Sequence, residues 1–442
     1  METTIAENLA EFDLAHKPEA PDNLMDLDLP LTMVEDLILR HLYAKGASSI
    51  SKLSDRLKLS FPIIDAVFQQ LRKRQLFEVT GMTGNDYAFS LSGTGHEYAF
   101  NRFNICHYTG PAPVSVKNYF AAARAQVAKL HINKSFLKKS LSDLVLTDGL
   151  LDQLGPALIS QNSIFLYGPT GNGKTSVVRR LARIYRDAIL IPYAVEFDGQ
   201  IIVMYDPAVH ERVDSNMSGI DPRWVLCRRP CILAGGELEP KMLELQLEES
   251  SQVYAAPLQM RANNGMLVID DFGRQILSPQ YLLNRWIVPL DRRVDYLTLR
   301  YGVKFQIPFE MIVVFSTNLD PNDLADEAFL RRIQNKIYME TANFQVFDEI
   351  FSRLVTKGNY PCEPDSAEFL RKLCLNLGSK ELRACYPRDI MDILVAISKY
   401  EGLPVEVNKA NLKRAVTLYF TKTMTKGKEA ISNLTTAPSE II

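Results

Sequence analysis

The 442-residue chain contains no apolar run approaching the ~18 residues that a membrane-spanning helix needs. Its opening stretch, METTIAENLAEFDL, carries acids where a secretory signal needs lysines and an apolar core, so no export signal is read there. Neither sign of charge is in surplus. Fifty Lys and Arg face 52 Asp and Glu, a net of −2, which leaves no global field to draw the chain to nucleic acid or an anionic membrane. Cysteine is scarce and scattered: of six, only Cys227 and Cys231 are close. A CxxxC pair without a nearby histidine is a poor zinc site, and reduced thiols in a cytoplasmic protein are expected. The length suits about two to four domains.

Residues 1–30 are acidic, with Glu2, Glu7, Glu11, Asp13, Glu19, Asp22, Asp26 and Asp28 against Lys17, and Pro18 and Pro21 interrupt them. That composition predicts a disordered or partner-dependent tail. Over 31–110 the apolar spacing predicts helices on Val34–Leu42, on Leu53–Leu59 and on Ile63–Leu71, the last with Pro62 in its first turn. Two alternating runs, Leu76–Val79 and Tyr87–Leu91, follow around a polar turn at 81–85. The pattern resembles a winged helix-turn-helix. Such modules often bind DNA, but the third helix turns Asp65, Gln69 and Gln70 outward and keeps Arg72, Lys73 and Arg74 at its C-terminal end. Nine Lys and Arg against seven Asp and Glu between 31 and 103 leave only +2. A protein-docking role is therefore favoured over DNA binding. Residues 111–140 read as linking helices behind the Gly110–Pro113 segment.

The centre of the chain is IFLYGPTGNGKTSVVRRLARIY from Ile164. Ile164–Tyr167 predict a buried strand, and Val177, Val178, Leu181 and Ile184 an apolar helix face. Between them Gly168, Pro169, Thr170, Gly171, Asn172, Gly173, Lys174 and Thr175, with Ser176 behind them, spell the phosphate-cradling G-x-x-x-x-G-K-T. Glycines let the backbone turn its N–H groups on an anion at a helix N-terminus. Lys174 reaches the β- and γ-phosphates and the Thr175 hydroxyl holds Mg²⁺. Ala188–Ile191 predict a second buried strand. Met266–Ile269 predict another, ending in Asp270, which holds Mg²⁺ through water, and Asp271, which orients the attacking water. Met311–Asn318 end in Thr317 and Asn318, and a last strand is read at Lys336–Met339. In an open α/β sheet such strand ends share one crevice. From Phe344 the pattern is helical: Phe344–Val355, Ala367–Leu377, Asp389–Tyr400 and Asn408–Tyr419.

Residues 141–421 resemble an AAA+ ATPase: P-loop at Gly168–Thr175, Walker B at Asp270-Asp271, Asn318 as sensor 1, Phe329-Leu330-Arg331-Arg332 around an arginine finger, and Arg388 as sensor 2. The resemblance implies an α/β core with a parallel sheet over 141–340, a helical lid over 341–421, and a polar tail over 422–442. It also implies ATP and Mg²⁺ as cofactors and a homo-oligomeric ring, a hexamer. At most one of Arg331 and Arg332 would be the finger, with Arg332 the first choice. Arg388 opposes its helix dipole, a conflict that a bound anion offsets. The stretch GGELEPKMLELQLEESSQVYAAPLQMRANNG looks like a helix-2 insert, and Tyr296–Ile307, turning at Tyr301-Gly302-Val303, like a pre-sensor-1 hairpin. Both belong to the branch with enhancer-binding activators, magnesium chelatase subunits and MoxR-type chaperones. DDFGRQ, LLNRWIVPLDRRVDYLTL, FSTNLDP and PRDIMD are more similar to bacterial predicted ATPases with chaperone activity associated with Flp-type pilus assembly. That likeness implies a protein client in pilus or secretion machinery, against the alternative of a DNA-binding regulator or loader. One departure stands out: the second Walker B acid is Asp271, one methylene shorter than the family's glutamate.

Overall fold

The computed structural model describes residues 14–420 apart from Asn85, Asn216, Ala325, Asp326 and Ser379. The acidic run to Asp13 and the tail from 421 lie outside the described residues.

Five parallel strands form the central sheet: β1 (Ile164–Tyr167), β2 (Cys231–Ala234), β3 (Met266–Ile269), β4 (Ile312–Thr317) and β5 (Asn335–Tyr338). Their order is β2-β3-β4-β1-β5, so β1 lies between β4 and β5. β1, β3 and β4 are continuous apolar runs because both sheet faces are covered. Leu166, Val268 and Val314 pack under helix α1 (Lys174–Leu181) through Val177, Val178 and Leu181, while Phe165, Leu267 and Phe315 meet Trp286 and Phe309 on the other face. The chain beyond the sheet is helical, over Phe344–Gly358, Ser366–Leu377, Tyr386–Glu401 and Lys409–Tyr419. These four pack around Phe347, Phe351, Leu370, Leu373, Ile390, Leu394 and Leu412.

Ala188–Pro192 is a strand, but it pairs antiparallel with Trp224–Arg228 in a two-stranded sheet of its own. β2, behind Pro230, takes the central-sheet place beside β3. It is an edge strand with Leu233 37% exposed, so its apolar signal is weak. The stretch resembling a helix-2 insert is also not helical. Among the described residues between 236 and 265 it holds only a four-residue helix, Leu258–Arg261, and a 3-10 turn, Pro240–Leu243. Gln246–Glu248 and Val253–Ala255 instead join Gln200–Val203, Ala194–Phe197 and Val114–Ser115 in a second five-stranded sheet. Alternation in Gln246-Leu247-Glu248 and the turn at Gln252 (φ 52°) favour strands there.

The hairpin Val294–Thr298/Lys304–Pro308 lies down on this second sheet. Phe305 stacks on Phe197 at 4.3 Å, the Tyr301 hydroxyl donates to Asp198 Oδ2 at 2.9 Å, and the Arg300 amide donates to the Tyr254 hydroxyl.

The N-terminal unit has helices Leu31–Lys45, Ile50–Leu57, Phe61–Lys73 and Gly93–Ile105, with Ser48–Ser49, Asp86–Leu91 and Phe77–Thr83 as a three-stranded sheet. Its hairpin extends past the expected turn: Gly81, Met82 and Thr83 pair with Ala88, Tyr87 and Asp86 beyond a register shift after Val79. Phe68, fully buried, is ringed by Phe77, Tyr87 and Phe89. Ala194, Ile201 and Val253 of the second sheet share this unit's core.

Residues 14–30, read as part of a disordered tail, run along the junction instead. Leu14 packs with the second-sheet core, His16 sets its edge on Trp224, Pro18 O accepts from the Asp221 amide, Pro21 O accepts from Ser60 Oγ, and Leu27 is buried. Apolar residues spaced among the acids find grooves that only the folded chain provides. The residues read as linkers are packed too: Val116–Ala125 lies against the second sheet, and Lys134–Ser140 against the P-loop side of the core.

Arg223 pins the junction. Its guanidinium meets both oxygens of Asp221 (2.7–3.1 Å) and donates to Pro113 O at 3.0 Å, and both side chains are under 5% exposed. Arg223→Met would leave Asp221 charged, buried and unpaired, so unfolding stability should fall by about 3–5 kcal/mol in a denaturant titration. An unchanged midpoint would show that the pair ties nothing.

Candidate functional site

The loop between β1 and α1 is shaped by what it must avoid. A Cβ at Gly168 (φ 139°) would lie 2.3 Å from the carbonyl oxygen of Met339, at the end of β5, so no other residue fits. Gly173, at φ 90°, is the left-handed N-cap of α1, which aims the helix N-terminus into the loop.

Lys174 is buried beneath this loop. Its Nζ donates to Gly168 O at 2.7 Å and Pro169 O at 2.9 Å. Burial pushes its pKa below the usual lysine value, and Asp271 and Asp270 pull it back up. Thr175 Oγ1 donates to Asp270 Oδ1 at 3.2 Å, and Asp270, at the end of β3, is itself buried. A hydroxyl and a carboxylate so placed are hard oxygen donors of the kind Mg²⁺ takes, with its remaining positions left to water and phosphate.

Asp271 stands in the left-handed region at φ 49°. Asparagine and aspartate tolerate this conformation better than longer residues. Its amide donates to Asp270 Oδ1 at 3.1 Å, and its exposed carboxylate faces the cleft. Gln275 holds the turn closed: its Nε2 donates to Asp270 O at 2.7 Å and its Oε1 accepts from the Gly273 amide at 2.8 Å. Sequence reading missed Gln275. The signal was a carboxamide five residues beyond the strand-end Asp270. Asn318, just past β4, lines the same cleft, and its Oδ1 is buried with no partner among the described residues. Thr317 does not face the cleft; it donates to Phe272 O and caps its own turn.

One cleft of about 1190 Å³ therefore brings together Thr170, Gly171, Asn172, Gly173, Lys174, Thr175, Ser176, Asp271, Asn318 and Arg388. Gly168 and Pro169 lie beneath it through their bonds to Lys174. Arg388, 73% exposed in the first turn of Tyr386–Glu401, has one long ion pair, to Asp392 at 3.9 Å. Away from the loop the walls turn apolar, with Leu144, Leu146, Ile350, Leu354, Tyr360 and Met391. A polar, cationic end joined to an apolar end fits a phosphorylated molecule carrying a flat organic group. Arg331 and Arg332 do not line the cleft. Arg332 Nε pairs with Asp291 at 2.9 Å with 18% of its side chain exposed, whereas Arg331 is exposed.

Comparison with known proteins adds a little. Residues 343–418 match a family model described as a domain of unknown function (DUF8689). No curated protein matches the chain. Among solved structures, the Thermotoga maritima RuvB Holliday junction branch migration motor is 13% identical over 66% of this chain and 72% of its own, with a TM-score of 0.33. The FIGL-1 AAA domain is 13% identical over 69% of this chain and 86% of its own, at 0.34. These are distant likenesses of fold, and the site is understood from its own residues.

Replacing Lys174 with Ala removes the cation beneath the loop. Affinity for ATP should drop at least ~10-fold, about 1.4 kcal/mol, in a calorimetric titration. Equal affinity would place the phosphate site elsewhere.

Proposed function

We propose that the chain is a Mg²⁺-dependent ATP hydrolase of AAA+ type that works as a ring of identical subunits on a protein client. The observation that carries this reading is the convergence on one cleft of Lys174, Thr175 with its hydrogen-bonded Asp270, Asp271 and Asn318, whose Oδ1 has no partner among the described residues.

Lys174 exchanges the carbonyls of Gly168 and Pro169 for phosphate oxygens, and the loop amides hold the rest of the anion. Thr175 and Asp270 would hold Mg²⁺, which would supply neutralisation of phosphate charge. Asp271 accepts the proton of the attacking water, its reach set by a left-handed backbone instead of a longer side chain. Asn318 offers its free carboxamide oxygen to that water. Arg388 is placed on the helix that roofs the cleft. Arg331, exposed and outside its own cleft, is proposed as the finger given to a neighbouring subunit, since Arg332 is held by Asp291.

The N-terminal unit is proposed as a winged helix that docks protein. Arg74 is paired with Glu35 at 2.9 Å and Arg72 lies over Tyr87, so two of the three basic residues ending the third helix are engaged internally. Assembly or secretion machinery, the setting implied by the resemblance to pilus-associated ATPases, is the proposed home of the client.

Asp271→Asn tests the chemistry. It should bind ATP normally and release phosphate at least ~10²-fold more slowly; release near the wild-type rate would move the base elsewhere. The ring is tested by mixing two inactive proteins. Arg331→Ala keeps its P-loop and Lys174→Ala keeps its finger, so mixed rings should recover part of the hydrolysis. If subunits exchange and no ratio restores turnover, the finger does not act between subunits.

A further inference from the structure

Asn172 lies within the phosphate-binding loop, and it is buried, 4% exposed. Its Oδ1 accepts from the amide of Ala384 at 3.2 Å, and its Nδ2 donates to Pro169 O at 3.3 Å. One residue along, the Cys385 amide donates to Gly171 O at 2.9 Å. The approach is close enough that a Cβ on Gly171 would lie 2.8 Å from Cys385 Sγ. Ala384 and Cys385 lead directly into the helix Tyr386–Glu401, and Arg388 follows Cys385 by three residues, about one turn. The same connector is held at its other end by Ala342, whose amide donates to Leu382 O.

We propose that Asn172 is a positioning residue that latches the C-terminal helices to the loop and so sets where Arg388 stands over the cleft. This rests on reading the cleft as an ATP site. A carboxamide is suited to the task because it donates to the loop and accepts from the connector at once. The peptide linking Gly171 and Asn172 is planar and trans, so its N–H points opposite to the carbonyl that Cys385 holds. The connector thus grips the outer side of a peptide whose inner side is available to phosphate. Loop conformation and helix placement become linked, each biasing the other by the same free energy.

The test is a double-variant cycle on the full chain. Asn172→Ala should lower kcat for ATP about 10-fold with the nucleotide Kd within about 3-fold, and it should add less than about 2-fold once Arg388 is Ala, because both changes remove one function. Losses that multiply, or a Kd that rises as far as kcat falls, overturn the proposal by showing that Asn172 acts on the loop alone. Amide exchange over 382–388 in the nucleotide-free protein gives a readout independent of turnover. Asn172→Ala should lose protection there, and Asn172→Asp, which keeps an acceptor for Ala384, should retain it. Unchanged exchange in Asn172→Ala also overturns the latch. If the wild-type chain releases no phosphate from ATP while exchange responds as expected, the reading of the cleft fails and the tie between loop and helices stands.

Discussion

Placing the Lys174 ammonium under its own loop removes it from water, a cost of several kcal/mol for a buried cation. Two main-chain carbonyls and two nearby carboxylates offset part of that cost. The carbonyls belong to Gly168 and Pro169, so the cation also fixes the path by which the chain leaves β1. That path is possible only because Gly168 lacks a side chain where Met339 crosses it. One buried charge thereby determines how closely β5 approaches β1 and where α1 begins. A polyanion gives the lysine better partners than neutral carbonyls do, so the loop suits one.

The elements that bear on chemistry were largely legible in the sequence because each is written locally. A strand, a glycine turn and a helix stand within about twenty residues around Lys174, and β3 and β4 announce themselves as apolar runs ending in Asp270 and Asn318. The four C-terminal helices were also visible, through apolar spacing alone. What was not legible depends on distant partners. Ala188–Pro192 reads as a central strand from its own residues, but Trp224–Arg228 claims it first. β2 is short, half-exposed at Leu233 and preceded by proline, so its place beside β3 follows from tertiary pairing. The region resembling a helical insert is sheet because Gln246–Glu248 pairs with Val253–Ala255, which in turn pairs through Tyr254 and Ala255 with Ile202 and Val203. The left-handed backbone at Asp271 and the Gln275 clamp were equally hidden, since no periodicity encodes a single turn.

The second sheet gives the molecule its mechanical continuity. One side shares a core with the N-terminal unit through Ala194, Ile201 and Val253, and the other carries the hairpin that runs through Glu310 into β4 and on to Asn318. A displacement at the end of β4 would have a packed, hydrogen-bonded route outward through Phe305–Phe197 and Tyr301–Asp198. Packed interfaces of this kind shift between discrete arrangements instead of bending continuously.

The segment from Leu14 to Leu29 has a consequence for how the chain is made. The carbonyl of Pro18 is paired with the amide of Asp221, and His16 rests on Trp224, partners that lie about two hundred residues later. During synthesis at ~5–20 residues per second, those early residues emerge roughly 10–40 s before their dock exists. Throughout that interval they must stay in solution without sticking to anything else. An acid-rich, proline-broken sequence does this well, so the composition that looks like permanent disorder in the finished sequence is suited to waiting on the ribosome.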